Sequence, residues 1–136
     1  MKQILITKQD YTRIHKSISD AKQNNSIKKE EAEKLLTELH SAKIVDSHDI
    51  PADTVTMNST VKFHFENNQK EMEFTIVYPN QADFKNHKVS IFSPVASALI
   101  GYSVNDEIDW IVPSGMTKII IDEIIYQPEA AGDFDL

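Results

Sequence analysis

Five histidines and two clusters of acidic residues are the side chains of this 136-residue chain best suited to metal or acid–base chemistry. Their spacing argues against both. The histidines, at 15, 40, 48, 64 and 87, form no HExxH or other close ligand pattern, so helix-face or surface positions are expected and no metal site. Asp46, Asp49 and Asp53 have the composition of a calcium loop but lack the glycine at its turn and the closing glutamate, and read as solvated linker charges. Asp106, Glu107 and Asp109 precede Trp110, where strand alternation sends neighbours to opposite faces; a turn and an exposed strand edge are expected, not an acid/base pair. Three glycines are too few for a phosphate-cradling loop or a dinucleotide fingerprint, and no GxSxG elbow is present. With no cysteine there is no disulfide, thiolate ligand or thiol nucleophile. Trp110 and the six phenylalanines read as core. No catalytic residue and no cofactor are expected, and the chain reads as a binding module.

The elements that must carry such a module change character along the chain. Thr7 followed by Asp10 predicts an N-cap with an acid in the first turn, and Tyr11, Ile14, Ile18 and Ala21 then recur at helical spacing. Gln23-Asn24-Asn25-Ser26 predicts a tight turn, with Ser26 as the new N-cap. Ala32, Leu35, Leu36, Leu39 and Ala42 form the stripe of a second helix. Two such helices with a short connection pack antiparallel, each of about 16 residues and roughly 24 Å. After the polar, proline-containing stretch 46–54 the period falls to two. Strands are expected over 55–65, over Met72–Tyr78 beyond a turn at 66–69, over Val89–Phe92, from Ile108 to Val112, and over Lys118–Tyr126 after a Pro113-Ser114-Gly115 turn. Ser93-Pro94 supplies an N-cap and first-turn proline for a short helix ending at Gly101. The expected fold is α+β: a helical hairpin over 1–45, a linker over 46–54, and an antiparallel sheet domain with one short helix over 55–136.

Charge follows the same division. Residues 1–45 hold nine Lys/Arg against six Asp/Glu, whereas 46–136 hold five against fifteen, for a whole-chain net charge of −7. Bare nucleic acid is therefore not an expected partner. No apolar run reaches the roughly 18 residues of a membrane span, and the apolar stretch within Met1–Thr7 is too short for a signal peptide, so a cytoplasmic location is expected. Neither helix has an apolar stripe wider than one partner helix buries, which points to a monomer.

The C-terminal half resembles a known family. Val89-Ser90-Ile91-Phe92-Ser93-Pro94-Val95-Ala96-Ser97-Ala98-Leu99-Ile100-Gly101 is similar to the SPVGxALLG segment of the GreA/GreB transcription factors, and Val104-Asn105-Asp106-Glu107-Ile108 to their VGDxI/V turn. Residues 55–63 and the ending Tyr126–Phe134 resemble the Rnk branch of that family. The resemblance implies an N-terminal antiparallel coiled coil and an FKBP-like C-terminal domain that docks at the rim of the RNA polymerase secondary channel. It also implies docking through Ser93 and Pro94, with Phe92 where some members carry an aspartate. In Gre factors an acidic pair at the coiled-coil tip helps hold the Mg²⁺ that drives cleavage of backtracked RNA. Here the tip reads Asn24, Asn25, Ser26, with Ser26 and Lys29 at the two acidic positions. A hydroxyl and an ammonium do not hold Mg²⁺, and Glu30 and Glu31 point about 100° apart on the second helix. The expectation is a polymerase-binding regulator that does not cleave RNA and excludes Gre-type factors. The alternatives are a cleavage-active Gre-type factor, an FKBP-like peptidyl-prolyl isomerase, and an interaction module with another partner.

Overall fold

The computed structural model describes residues 3–112 and 115–134. The chain opens with a short strand β1 (Leu5–Thr7) that runs directly into helix α1 (Lys8–Gln23), and helix α2 (Lys29–Ser41) returns to strand β2 (Lys43–Val45). Thr7 caps α1 as its spacing predicts: its backbone is extended, and its Oγ1 accepts from the Asp10 amide at 3.1 Å. Ile14, Ile18 and Ala21 from α1 and Ala32, Leu35 and Leu39 from α2 are buried along the seam between the helices.

The turn between the helices is built differently from the expectation. Ser26 does not cap α2. Its amide and hydroxyl both donate to the Ala21 carbonyl, at 2.9 and 3.3 Å, so it closes α1. Asn25 supplies the left-handed residue this closure needs, at φ 54°, a conformation that asparagine tolerates better than most side chains. Helix α2 starts only after Lys28, without a side-chain cap, and is 13 residues long instead of the expected 16.

The two feet of the hairpin are tied together by parallel pairing of β1 with β2, a contact that three-residue strands did not announce in the sequence. The pair is in turn bonded to the rest of the molecule, the Leu5 amide donating to the Gly101 carbonyl at 3.1 Å.

The body is a five-stranded sheet of β3 (Thr60–Phe65), β4 (Asn68–Val77), β5 (Lys88–Ser90), β6 (Glu107–Val112) and β7 (Gly115–Tyr126), in the order β5-β4-β3-β7-β6. Helix α3 (Pro94–Leu99) and a single turn α4 (Pro128–Ala131) complete it. Two features depart from the expected antiparallel sheet. Strand β3 begins at Thr60 and not at Val55, because Thr56–Ser59 folds into a turn with Asn58 at φ 66° and the Ser59 amide on the Thr56 carbonyl. Strand β5 pairs with β4 in parallel. Two 3₁₀ turns, Pro79–Gln81 and Phe84–Asn86, and a left-handed His87 at φ 58° carry the chain back so that β5 leaves in the direction of β4. Of the expected turn after β6, residues 113 and 114 lie outside the described residues.

One hydrophobic cluster runs through both halves, from Ile14, Ile18 and Leu39 through Ile4 and Ile6 to Val55, Met57, Phe63 and Ile119. Where these halves meet, Gly101 sits at φ 85°, and a Cβ there would stand 2.7 Å from Ile4 Cβ. Gly101→Ala is expected to cost about 2–4 kcal/mol, combining the left-handed backbone with overpacking against Ile4, as measured by urea unfolding; a cost below about 1 kcal/mol would mean that β1 shifts freely. We further propose that the chain divides into a hairpin over 1–45, a linker over 46–54 and a sheet domain over 55–136. Pro51, Ala52 and Asp53 are exposed, so limited proteolysis should cut there and release a stable C-terminal fragment. Resistance of the chain as one unit would contradict the division.

Candidate functional site

Of the residues singled out in the sequence, Phe92, Pro94, Asn24 and Ser26 lie along one side of the molecule. Ser93 starts α3 by accepting the Ala96 amide on its Oγ at 3.3 Å, with Pro94 in the first turn where no amide is missed. This places the exposed Pro94 and half-buried Phe92 beside the hairpin.

Phe92 stands between two clefts. The larger, an open groove of about 570 Å³, is walled by the face of α1 that carries Arg13, Lys16, Asp20 and Asn24, and opposite by Tyr78–Gln81. Ser26 at the tip also lines it. The smaller, of about 90 Å³, lies between Phe92, Pro94 and Ser97 and the α2 side chains Glu31, Lys34, Leu35 and Glu38. Burial raises the Glu38 carboxyl, with Lys34 opposing. Thus Phe92, Pro94, Asn24 and Ser26 border one continuous surface, whereas Asn25 and Lys29 are exposed at the hairpin end and line neither cleft.

The most perturbed carboxyl was read in the sequence only as a first-turn acid. Asp10 is 3% exposed. Its Oδ2 accepts the Met57 amide at 3.1 Å, and the Tyr78 hydroxyl approaches Oδ1 at 3.5 Å. Burial pushes the Asp10 carboxyl up to about 7; the Met57 amide opposes the rise and the charge of Glu129 adds to it. The Tyr78 hydroxyl is also raised, by burial and then by facing Asp10. Glu129 is held in turn by Thr56, whose hydroxyl donates to Oε1 at 2.8 Å.

The other candidates for chemistry are dispersed. Asp106 accepts the Ser103 amide at 2.8 Å, Glu107 lies 3.5 Å from Lys118, and Asp109 is exposed. Asp46 caps the 3₁₀ turn Ser47–Asp49, and the His48 amide and ring lower its carboxyl. Trp110 is half-buried with its ring centroid 6.4 Å from that of Phe65. His64 pairs with Asp122 through Nδ1 at 2.8 Å, a cross-strand contact that no local spacing indicates. Among the described residues no three His, Asp or Glu side chains converge as a metal site would require. No helix among them is long and apolar enough to cross a membrane.

Residues 50–126 match the family described as transcription elongation factor, GreA/GreB, C-terminal. The regulator of nucleoside diphosphate kinase of Escherichia coli K12 is 40% identical over 104 residues, which span 76% of this chain and 76% of that protein. Transcription elongation factor GreA of Thermoanaerobacter pseudethanolicus is 42% identical over 86 residues, 63% of this chain and 55% of that protein. Among solved structures, the prokaryotic transcription elongation factor GreA/GreB from Nitrosomonas europaea superposes with a TM-score of 0.74 at 38% identity, covering 91% of this chain and all of that one.

Proposed function

The chain belongs to the Rnk branch of the GreA/GreB family, and we propose that it is a transcription regulator that binds RNA polymerase at the rim of the secondary channel without cleaving RNA. Binding is assigned to Ser93, Pro94 and Phe92, which stand within the residues 50–126 that match the GreA/GreB family. Pro94 is exposed and the hairpin runs alongside it, so a partner seated on α3 also meets the side of α2. The partner is the polymerase and not bare nucleic acid, given the net charge of −7, and the protein acts as a monomer in the cytoplasm.

The observation that carries the absence of cleavage is the chemistry of the tip. Asn24, Asn25 and Ser26 present amides and a hydroxyl, and the Ser26 hydroxyl is already engaged with the Ala21 carbonyl. Lys29 places an ammonium in the first turn of α2. This donor set lacks the carboxylates by which a protein holds Mg²⁺, at about 2.0–2.1 Å, so no step of RNA cleavage is assigned to it. The helices are also short: 16 and 13 residues correspond to roughly 24 and 20 Å. The protein is accordingly assigned no enzymatic activity and no cofactor, and its effect would arise by occupying the channel entrance and excluding Gre-type factors.

Two measurements test this reading. Pro94→Glu should weaken polymerase binding by at least about tenfold, or 1.4 kcal/mol, with unchanged circular dichroism; unchanged affinity, with binding lost instead on deleting 1–45, would move the contact to the hairpin. The unmodified protein should leave backtracked transcripts intact and slow cleavage by an added Gre factor. The double variant Ser26→Asp, Lys29→Glu should also remain inactive, because carboxylates on a short hairpin do not reach the metal. Cleavage by the unmodified protein would overturn the assignment, and cleavage by the double variant would show that chemistry alone was missing.

A further inference from the structure

A buried carboxylate at a joint between two structural units needs an account, because an ionised carboxylate without a cationic partner is costly to bury. The α1 side of the joint offers Asp10 and, one turn on, Arg13; β1 offers the Thr7 hydroxyl. The end of β4 offers Tyr78, and α4 offers a second carboxylate, Glu129. The Thr56–Ser59 turn between them contributes no charge. Its Ser59 hydroxyl contacts the Thr56 hydroxyl at 2.8 Å, and Thr56 donates onward to Glu129. Since Thr56 spends its one proton on Glu129, Ser59 is the donor to Thr56. Thr56 and Met57, adjacent in sequence, thus each hold one carboxyl: Glu129 by a hydroxyl and Asp10 by an amide.

We propose that Asp10 and Glu129 form a proton-dependent latch that holds the hairpin on the sheet domain, closed when Asp10 is protonated and loosened when both carboxyls are ionised. The protonated acid still accepts from the Met57 amide with its free oxygen lone pairs, and it removes the like-charge repulsion with Glu129. When Asp10 ionises, its charge is buried facing a second negative charge. Arg13 is the cation that acts on it, and it lies on an exposed position of the same helix. Water must then reach the carboxylate, which requires α1 to lift from the Thr56–Ser59 turn. The β1–β2 pair and its bond to Gly101 stay in place, so the movement is a pivot of the hairpin about its feet.

The direction of the pH effect follows from the carboxyl being raised to about 7 in the folded chain. Between about pH 4 and 7 the unfolded chain releases this proton and the folded chain keeps it, so stability falls as pH rises through that window and levels off above it. The pivot follows the same linkage, favoured progressively through that window and reaching its full extent just above pH 7.

The chain has no cysteine, so spin labels attached after Gln23→Cys and Gln81→Cys report the width of the large groove without competition. In the full-length protein the distance distribution is expected to be narrow at pH 6 and longer and broader at pH 8.5. Asp10→Asn should keep it narrow at both values. Glu129→Gln should broaden the distribution at pH 8.5 less than in the parent, because it removes the repelling charge while keeping an oxygen that accepts from Thr56. At pH 8.5 the Met57 amide should exchange with solvent at least about tenfold faster in the parent than in Asp10→Asn. A parent distribution identical at pH 6 and 8.5 would sink the latch, as would a change that persists in Asp10→Asn, which would assign it to another group. Should Asp10→Asn not fold, Glu129→Gln decides: broadening at pH 8.5 as large as in the parent, or larger, overturns the proposal. None of these readouts involves polymerase.

Discussion

The Met57 amide has a single hydrogen to give, and it gives it to a side chain 47 residues away, on a helix of the other half of the molecule. That bond sets where α1 lies relative to the sheet, and the surrounding burial depends on it. Of the seven buried polar side chains among the described residues, Thr7, Asp10, Thr56 and Ser59 belong to this joint, while Gln127 clamps the linker, Thr54 meets Ser103 and Thr117 lies on β7. An apolar contact alone would let a two-helix hairpin slide, since hydrophobic burial is non-directional. Hydrogen bonds of fixed geometry do not allow it, and each becomes costly if left unmade. The continuous core from Ile14 to Ile119 supplies the attraction; the polar joint supplies the register.

The surface assembled around Phe92 depends on that register. Its residues come from α1, α2, the Tyr78–Gln81 turn and the start of α3, and a small rotation of the hairpin would separate them. The basic excess of the first 45 residues is turned in part toward this groove through Arg13 and Lys16, while the rest of the chain is strongly acidic. Charge asymmetry visible in the sequence is therefore also an asymmetry in space.

The elements that local patterning governs were legible from the residues. The hairpin follows from the four-residue spacing of Ile14 and Ile18, α1 begins where Thr7 caps it, and α3 begins at Ser93-Pro94. What failed to read out depends on distant partners. Residues 55–59 alternate like a strand, yet Asn58 turns left-handed because Ser59 bonds back to Thr56. Strand β5 runs parallel to β4 because of two 3₁₀ turns that polar residues between strands do not specify. Of the candidate site, Ser93, Pro94, Phe92 and the tip were named from the sequence, but Asp10 was taken only for a helix-start acid. A signal was present: Asp10 stands four residues before Ile14 and eight before Ile18, on the stripe that faces inward.

The stretch between hairpin and sheet is held from the far end of the chain. The Gln127 side-chain amide donates to the Pro51 and Thr54 carbonyls, both at 2.7 Å, and Phe134 stacks on His48 at 4.2 Å. A ribosome makes these clamping residues well after both helices. A nascent chain stopped short of Gln127 could already align its hairpin through the Met57–Asp10 and Leu5–Gly101 bonds, and would lack only the clamp on the linker.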